Sequence, residues 1–80
     1  MDDHDILTRI TALVAEEDDL RGRHEEAALD ATERARIAQI EVALDQCWDL
    51  LRQRRARREF AADPDAAAVR DADTVERYRQ

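Results

Sequence analysis

Apolar residues recur at alternating spacings of three and four along two stretches of the chain. The first stretch carries them at Ile6, Ile10, Leu13 and Leu20, with Leu7 and Val14 alongside. This spacing puts them on one side of an amphipathic α-helix, which we expect over about residues 4–26. The carboxylates of Asp2, Asp3 and Asp5 can each accept from the free backbone N–H groups of its first turn.

The second stretch predicts a longer helix, over about residues 31–60. Its apolar positions are Ile37, Ile40, Leu44, Cys47 and Leu51. Asp30 and Glu33 have the spacing of a capping box, with Thr32 as a competing cap. Asp63 before Pro64 ends this helix, because a residue before proline is disfavoured in the helical region.

A short turn between the two helices predicts that they pack antiparallel, as a helical hairpin over residues 1–62. The C-terminal segment, residues 63–80, is expected to be partly helical or disordered. Residues 66–69 can form one more turn. Beyond them Val75 and Tyr78 are the large apolar anchors, so we expect a mobile tail unless a partner orders it.

On each helix the apolar residues extend around more of the circumference than one neighbouring helix can cover. This excess predicts self-association. An isolated hairpin buries only one stripe per helix, and pairing two hairpins into a dimeric four-helix bundle with coiled-coil-like packing covers the rest. The alternative is a monomer whose C-terminal segment folds back over the open face. The residues predicted to mediate self-association are Leu7, Val14, Leu44, Cys47, Trp48 and Leu51.

Composition narrows the class of protein. The 80 residues are 41% charged with a net charge of −7, and they include one cysteine, which excludes an intramolecular disulfide. No apolar run is long enough to cross a membrane, and the acidic N-terminus is unlike a signal peptide. We therefore expect a cytoplasmic protein without membrane contact. The absence of lysine indicates the coding bias of a GC-rich genome.

One basic cluster follows the apolar part of the second helix, and it consists of Arg52, Arg54, Arg55, Arg57 and Arg58. Such clusters bind phosphate backbones, so a nucleic-acid-binding accessory protein is the alternative function. The antiparallel register, however, brings Asp2, Asp3 and Asp5 near these arginines. The acidic net charge also opposes steering toward nucleic acid, and we favour internal neutralisation.

The remaining candidates for chemistry do not form a site. Cys47 lies on the apolar stripe, where a thiol is usually a small core residue. Neither His4 nor His24 has the spacing of a metal site, and Glu17 is better explained by a register-setting ion pair with Arg36 or Arg34. There is no serine, no glycine-rich loop and no paired-cysteine spacing. We expect no catalytic residue, no metal and no cofactor, and therefore a non-enzymatic protein.

The order of residues from Leu44 to Phe60 resembles a small actinobacterial family, domain-of-unknown-function family 2630. The most specific part is Cys-Trp-Asp-Leu-Leu-Arg-Gln-Arg from Cys47 to Arg54, and the stretches Asp5–Glu17 and Asp63–Asp65 are also similar. The resemblance covers nearly the whole chain. It implies an intracellular helical protein of a high-GC Gram-positive bacterium, and it implies no activity or site residue.

These observations together predict a protein-interaction or structural module that forms a homodimer. Its partner, if it has a second one, is an unknown protein docking on an apolar groove or on the tail around Val69, Val75 and Tyr78.

Overall fold

The computed structural model describes residues 1–23 and 28–79, and for residue 23 and residues 77–79 it describes the backbone alone. Three α-helices lie in these ranges: α1, Asp3–Arg23; α2, Ala31–Glu59; and α3, Ala72–Arg79. A short 3₁₀ turn, Pro64–Ala66, lies between α2 and α3. The described residues are therefore all-α, as the sequence predicted. The predicted last turn of the first helix and His24 lie outside them.

The start of α1 is capped by Asp2. The Asp5 N–H donates to Asp2 Oδ1 at 2.8 Å, and the Asp2 N–H donates to Asp5 Oδ2 at 3.3 Å. The two residues thus satisfy each other's backbone donors, in the manner of a capping box. Because Asp2 and Asp5 supply the cap, the carboxylate of Asp3 is available for tertiary contacts.

The predicted capping box at the start of α2 is confirmed. The Glu33 N–H donates to Asp30 Oδ1 at 2.7 Å, and the Asp30 N–H donates to Glu33 Oε1 at 3.1 Å. The helix ends at Glu59, one residue before the expected end. There Ala61 takes a positive φ of 55°, and the Ala62 N–H donates to the Arg57 carbonyl at 2.7 Å. This is a Schellman ending in which alanine takes the left-handed position that glycine usually occupies.

The helices α1 and α2 pack antiparallel as a hairpin, with the core between them. The buried core residues are Ile6, Ile10, Leu13, Ile40, Cys47 and Leu50. Ile6 and Ile40 are fully buried. These positions follow the three-four spacing on each helix, so the local pattern identified most of the core. Leu50 is an addition, because it lies beside the predicted stripe of α2 and is covered by the C-terminal segment.

The C-terminal segment is partly helical, which is one of the two forms expected for it, and it packs against α2. The Asp71 carboxylate caps α3, accepting from the Thr74 N–H at 2.8 Å and from the Thr74 hydroxyl at 3.0 Å. Val75 anchors α3 and is only 1% exposed. The expected extra turn forms earlier than predicted, at Pro64–Ala66, where the Asp65 N–H donates to Asp63 Oδ1 at 2.9 Å.

Candidate functional site

Arg54, in the middle of the predicted basic cluster, is a buried residue. Its side chain is 7% exposed. Its Nε donates to Asp3 Oδ1 at 2.6 Å, and its Nη1 donates to Asp65 Oδ1 at 2.9 Å and to the Pro64 carbonyl at 3.2 Å. Arg54 therefore joins the start of α1, the end of α2 and the 3₁₀ turn at one point. Hydrogen bonds to Asp3 and then Asp65 raise the pKa of its guanidinium.

The other arginines of the cluster are divided between internal contacts and solvent. Arg58 donates to both carboxylate oxygens of Asp3, at 3.2 and 2.8 Å. Hydrogen bonds from Arg58 and then Arg54 lower the pKa of the Asp3 carboxyl. Arg55 pairs with Glu59 on the helix surface at 3.1 Å. Arg52 is exposed and Arg57 is half-buried. The cluster is thus not one continuous basic surface.

A polar stripe on α2 holds the C-terminal segment, and sequence reasoning missed it. Gln53 donates to the Ala68 carbonyl at 2.8 Å and to Asp49 Oδ2 at 2.9 Å. Gln46 donates to the Arg70 carbonyl at 3.2 Å. Asp49 is buried, with Arg70 Nε at 3.6 Å. The three side chains of α2 recur at spacings of three and four, so their periodicity was the available signal.

Cys47 belongs to the core and not to an exposed face. It is buried against the cluster around Ile6 and Leu50, at the floor of a groove of about 160 Å³ whose other walls include Val69 and Arg9. Cys47 was among the residues predicted to mediate self-association, and the structure places it in the core of the chain itself. The described residues contain no group of three or more potential metal-ligating side chains. None of the helices described is long and apolar enough to cross a membrane.

The side of the hairpin away from the C-terminal segment exposes an apolar surface. Leu7, Val14 and Arg21 recur every seven residues on α1, as Glu41 and Trp48 do on α2. Arg21 Nη2 contacts Glu41 Oε1 at 3.0 Å, so both stripes lie on the same side of the hairpin. Leu7 is 46%, Val14 39% and Trp48 45% exposed. Leu44 and Leu51 pack half-buried against the core beside them. We call the surface formed by Leu7, Val14, Leu44, Trp48 and Leu51 the open face.

The opposite side of the hairpin is closed by a different ion pair. Arg36 Nη2 donates to Glu16 Oε1 at 2.8 Å, and this bond lowers the pKa of the Glu16 carboxyl. Glu17 was expected to pair with Arg36 or Arg34, of this chain or of a partner chain. Within this chain Arg36 binds Glu16 instead, one residue before Glu17. Since α1 rotates by about 100° per residue, this change moves the pair from the apolar seam to its exposed edge.

The predicted docking residues of the tail differ in their exposure. Val75 is buried under the chain's own contacts, and Val69 is exposed beside the groove above Cys47. The side chain of Tyr78 lies outside the described residues. Val75 is therefore used internally and Val69 is not, and the described part of the tail leaves the open face uncovered.

Fold and site together define a small all-α protein built on a helical hairpin. Arg54 joins the two helices at the end opposite the loop. The C-terminal segment covers one face of the hairpin and leaves the open face exposed. The chain belongs to the family described as Protein of unknown function (DUF2630), whose model matches residues 2–80. The resemblance found in the sequence is thereby confirmed.

Relatives of similar length occur in mycobacteria. The chain is 48% identical over 77 residues to Uncharacterized protein Rv0898c of Mycobacterium tuberculosis (strain ATCC 25618 / H37Rv), covering 95% of this chain and 88% of the relative. The same values apply to Uncharacterized protein Mb0922c of Mycobacterium bovis (strain ATCC BAA-935 / AF2122/97). No solved structure matches the chain significantly.

Proposed function

We propose that this protein is a non-enzymatic interaction module of the cytoplasm that self-associates through its open face. The observation that carries the proposal is the exposure of Trp48 beside Leu7 and Val14 on the side of the hairpin that the C-terminal segment leaves uncovered. Large apolar patches on small soluble proteins mark interaction surfaces, and tryptophan is enriched at the energetic centres of such surfaces.

The magnitude of apolar burial favours a reversible dimer. Two copies would bury six half-exposed large side chains, worth roughly 5 to 9 kcal/mol at about half of the full burial energy of each. Association itself costs about 4 to 15 kcal/mol in lost freedom. Leu44 and Leu51 add area at the centre. The balance is at most about 5 kcal/mol in favour of association, so we expect a weak, reversible four-helix bundle with a dissociation constant of about 10⁻⁴ M or higher.

Self-association is better supported than nucleic-acid binding. Arg54 and Arg58 are engaged by Asp3, and Arg54 also by Asp65. Phosphate contacts by these two arginines would require breaking ion pairs inside the protein. The net charge of −7 adds long-range repulsion. A gel shift at low salt should show no retained complex, and a salt-sensitive complex lost in Arg52→Ala would instead support the nucleic-acid function.

The test of the proposal is the solution mass by light scattering across a dilution series. We expect a dimer at high concentration that dissociates on dilution. Trp48→Ala should raise the dissociation constant at least about tenfold, since it truncates an aromatic residue in both copies. Phe60→Ala is the matched control, because Phe60 is an exposed aromatic residue of the same chain off the open face.

A monomer at every concentration would contradict the proposal. Equal weakening by Trp48→Ala and Phe60→Ala would also contradict it, because the open face would then have no special role. Trp48 is the sole tryptophan, so its fluorescence provides an independent readout of the same surface. Its emission should shift to longer wavelength on dilution as the indole becomes more exposed to water.

A further inference from the structure

The charges on α2 are arranged with opposite sign on the two sides of Trp48. Glu41 lies seven residues and Asp45 three residues before it; Arg52 lies four and Arg55 seven residues after it. This alternation of three and four residues places all five side chains on one stripe of the helix. Glu41, Arg52 and Arg55 are exposed, and Asp45 is half-buried. The stripe is therefore acidic at the hairpin loop end, aromatic in the middle and basic at the other end.

Such a stripe is complementary to itself when it is turned end for end. If two copies of α2 cross antiparallel at Trp48, the residue seven positions before Trp48 lies opposite the residue seven positions after it in the second copy. Glu41 then faces Arg55 of the second copy, and Asp45 faces Arg52. A two-fold axis repeats each pairing, as a closed dimer requires.

We propose that the open face binds a second copy of this chain with α2 antiparallel to α2 and the two-fold axis passing through Trp48. This orientation rests on the proposed self-association and assigns its geometry. The two indoles meet at the axis, and the half-buried Leu44 and Leu51 flank them. On α1 the same rotation sets Leu7 against Val14 of the second copy.

The opposite orientation, with both loop ends together, is electrostatically poorer. It would gather Asp18, Glu41 and Asp45 from both copies at one end of the interface, with Arg21 of each copy, the partner of Glu41, among them. Two exposed ion pairs of the stripe do not prevent the antiparallel arrangement. Arg21–Glu41 and Arg55–Glu59 are both exposed pairs, at 3.0 and 3.1 Å. Exposed pairs contribute little, so their exchange or extension across an interface costs little.

The charge pattern also argues for a second copy over another occupant. A foreign helix of a single sign would meet repulsion at one half of the stripe. The chain's own C-terminal segment is already engaged on the other side of α2, where Val75 is buried and Gln53 holds the Ala68 carbonyl. A copy of the same stripe meets attraction along its whole length.

Disulfide trapping tests the orientation directly. In a Cys47→Ala background we would prepare Asp45→Cys and Arg52→Cys, each checked for helicity by circular dichroism. With about 1.5 Å rise per residue, the antiparallel crossing separates position 45 of one chain from position 45 of the second chain by about 9 Å along the helix axis. The corresponding separation between the two positions 52 is about 12 Å. In a dimer of one Asp45→Cys chain and one Arg52→Cys chain, the two cysteines are offset by only about 2 Å along the helix axis. A disulfide needs Cα atoms within about 7 Å.

We therefore expect mild oxidation to link the mixture of the two variants and to leave each variant alone largely unlinked. Strong linking within each single variant, or no linking in a mixture that light scattering shows to be dimeric, would overturn the antiparallel orientation while the proposed self-association stands. A monomer at every concentration of the unsubstituted chain would overturn both.

Charge reversal provides a second readout that does not use cysteine. Arg52→Glu should raise the dissociation constant by about tenfold, because two pairings become repulsive. Asp45→Arg should do the same, and an equimolar mixture of the two variants should regain the affinity of the original chain. Arg9→Glu, at an exposed arginine off the open face, is the matched control and should leave the dissociation constant unchanged. Failure of the mixture to recover would contradict the antiparallel pairing.

Discussion

Arg54 donates to Asp3 across the open end of the hairpin at 2.6 Å, although the two residues are 51 positions apart in the chain. The same guanidinium reaches Asp65 and the Pro64 carbonyl. One buried side chain thus links three segments that share no local sequence pattern. The stability of the hairpin end and the seating of the C-terminal segment should therefore depend on the same residue.

Replacing Arg54 by methionine should destabilise the protein, because the three hydrogen bonds of its buried guanidinium to Asp3, Asp65 and the Pro64 carbonyl are lost. The free energy of unfolding, measured with urea, should fall several times more than in Arg52→Met, which alters an exposed arginine of the same helix. Hydrogen exchange should also accelerate at the amides of residues 66 and 67. Equal stability of the two variants would show that the Arg54 contacts contribute nothing.

Acidic pH should destabilise the protein at the end of the hairpin where Arg54 binds Asp3. Hydrogen bonds from Arg58 and Arg54 hold the pKa of Asp3 below its ordinary value. A carboxyl with a lowered folded-state pKa stabilises the protein above its unfolded pKa, and this contribution is lost as the pH falls below about 4 toward the folded value. Unfolding free energy should decline over that interval, with further contributions from Asp2 and Glu16, whose pKa values are also lowered.

The comparison for the acid effect is Asp3→Asn, which removes the titrating group but keeps its size. We expect this variant to be less stable at neutral pH and to show a shallower decline of unfolding free energy below about pH 4. An unchanged slope would mean that Asp3 has the same pKa in the folded and unfolded chain.

The end of α2 offers a stabilising substitution. Ala61 has φ 55°, a conformation that disfavours every residue with a Cβ and suits glycine. Ala61→Gly should raise the free energy of unfolding by about 1 kcal/mol, because relief of this strain exceeds the added entropy of the unfolded chain. Ala62→Gly, one residue further on without positive φ, should give no gain. A thermal melt of both variants distinguishes these outcomes.

The anchoring of α3 can be measured through Val75. Val75→Ala should lower the unfolding free energy by about 2 kcal/mol through lost burial and the cavity left behind. Val69→Ala, at an exposed valine of the same segment, should stay within about 0.5 kcal/mol. Faster hydrogen exchange confined to residues 72–76 would show that α3 opens locally. Wild-type exchange rates in the Val75 variant would contradict its role as anchor.

The two long helices were predictable because their causes are local. Periodicity of apolar residues marks a helix face whatever it packs against, and the Asp30–Glu33 box satisfies backbone donors within one turn. The bounds of α3 were missed because Val75 and Tyr78, three residues apart, are too few apolar positions to establish a helical period. Burial of Val75 depends on α2, and a short helix gains most of its stability from such packing.

The candidate site was only partly visible in the sequence. The spacing identified Leu7, Val14 and Trp48 as apolar positions beside the seam, but it could not separate them from Cys47. Cys47 and Trp48 are consecutive residues about 100° apart around α2, and Cys47 is buried while Trp48 is exposed. Which of the two is buried depends on the positions of α1 and the C-terminal segment. The same holds for the basic cluster, whose arginines are alike in the sequence and differ in the structure because Asp3 binds Arg54 and Arg58 and Asp65 binds Arg54.

By itself, therefore, the sequence determined the helical class, the antiparallel hairpin, the N-terminal caps of α1 and α2 and most of the core, because these follow from spacing and hydrogen bonding within a few residues. The tertiary structure alone decided which side of α2 the C-terminal segment covers and which side remains open. That choice depends on contacts such as Gln53 with the Ala68 carbonyl and Arg54 with Asp65, made between residues distant enough in the chain that no local pattern specifies them. The open face remains exposed because the C-terminal segment packs on the other side of α2.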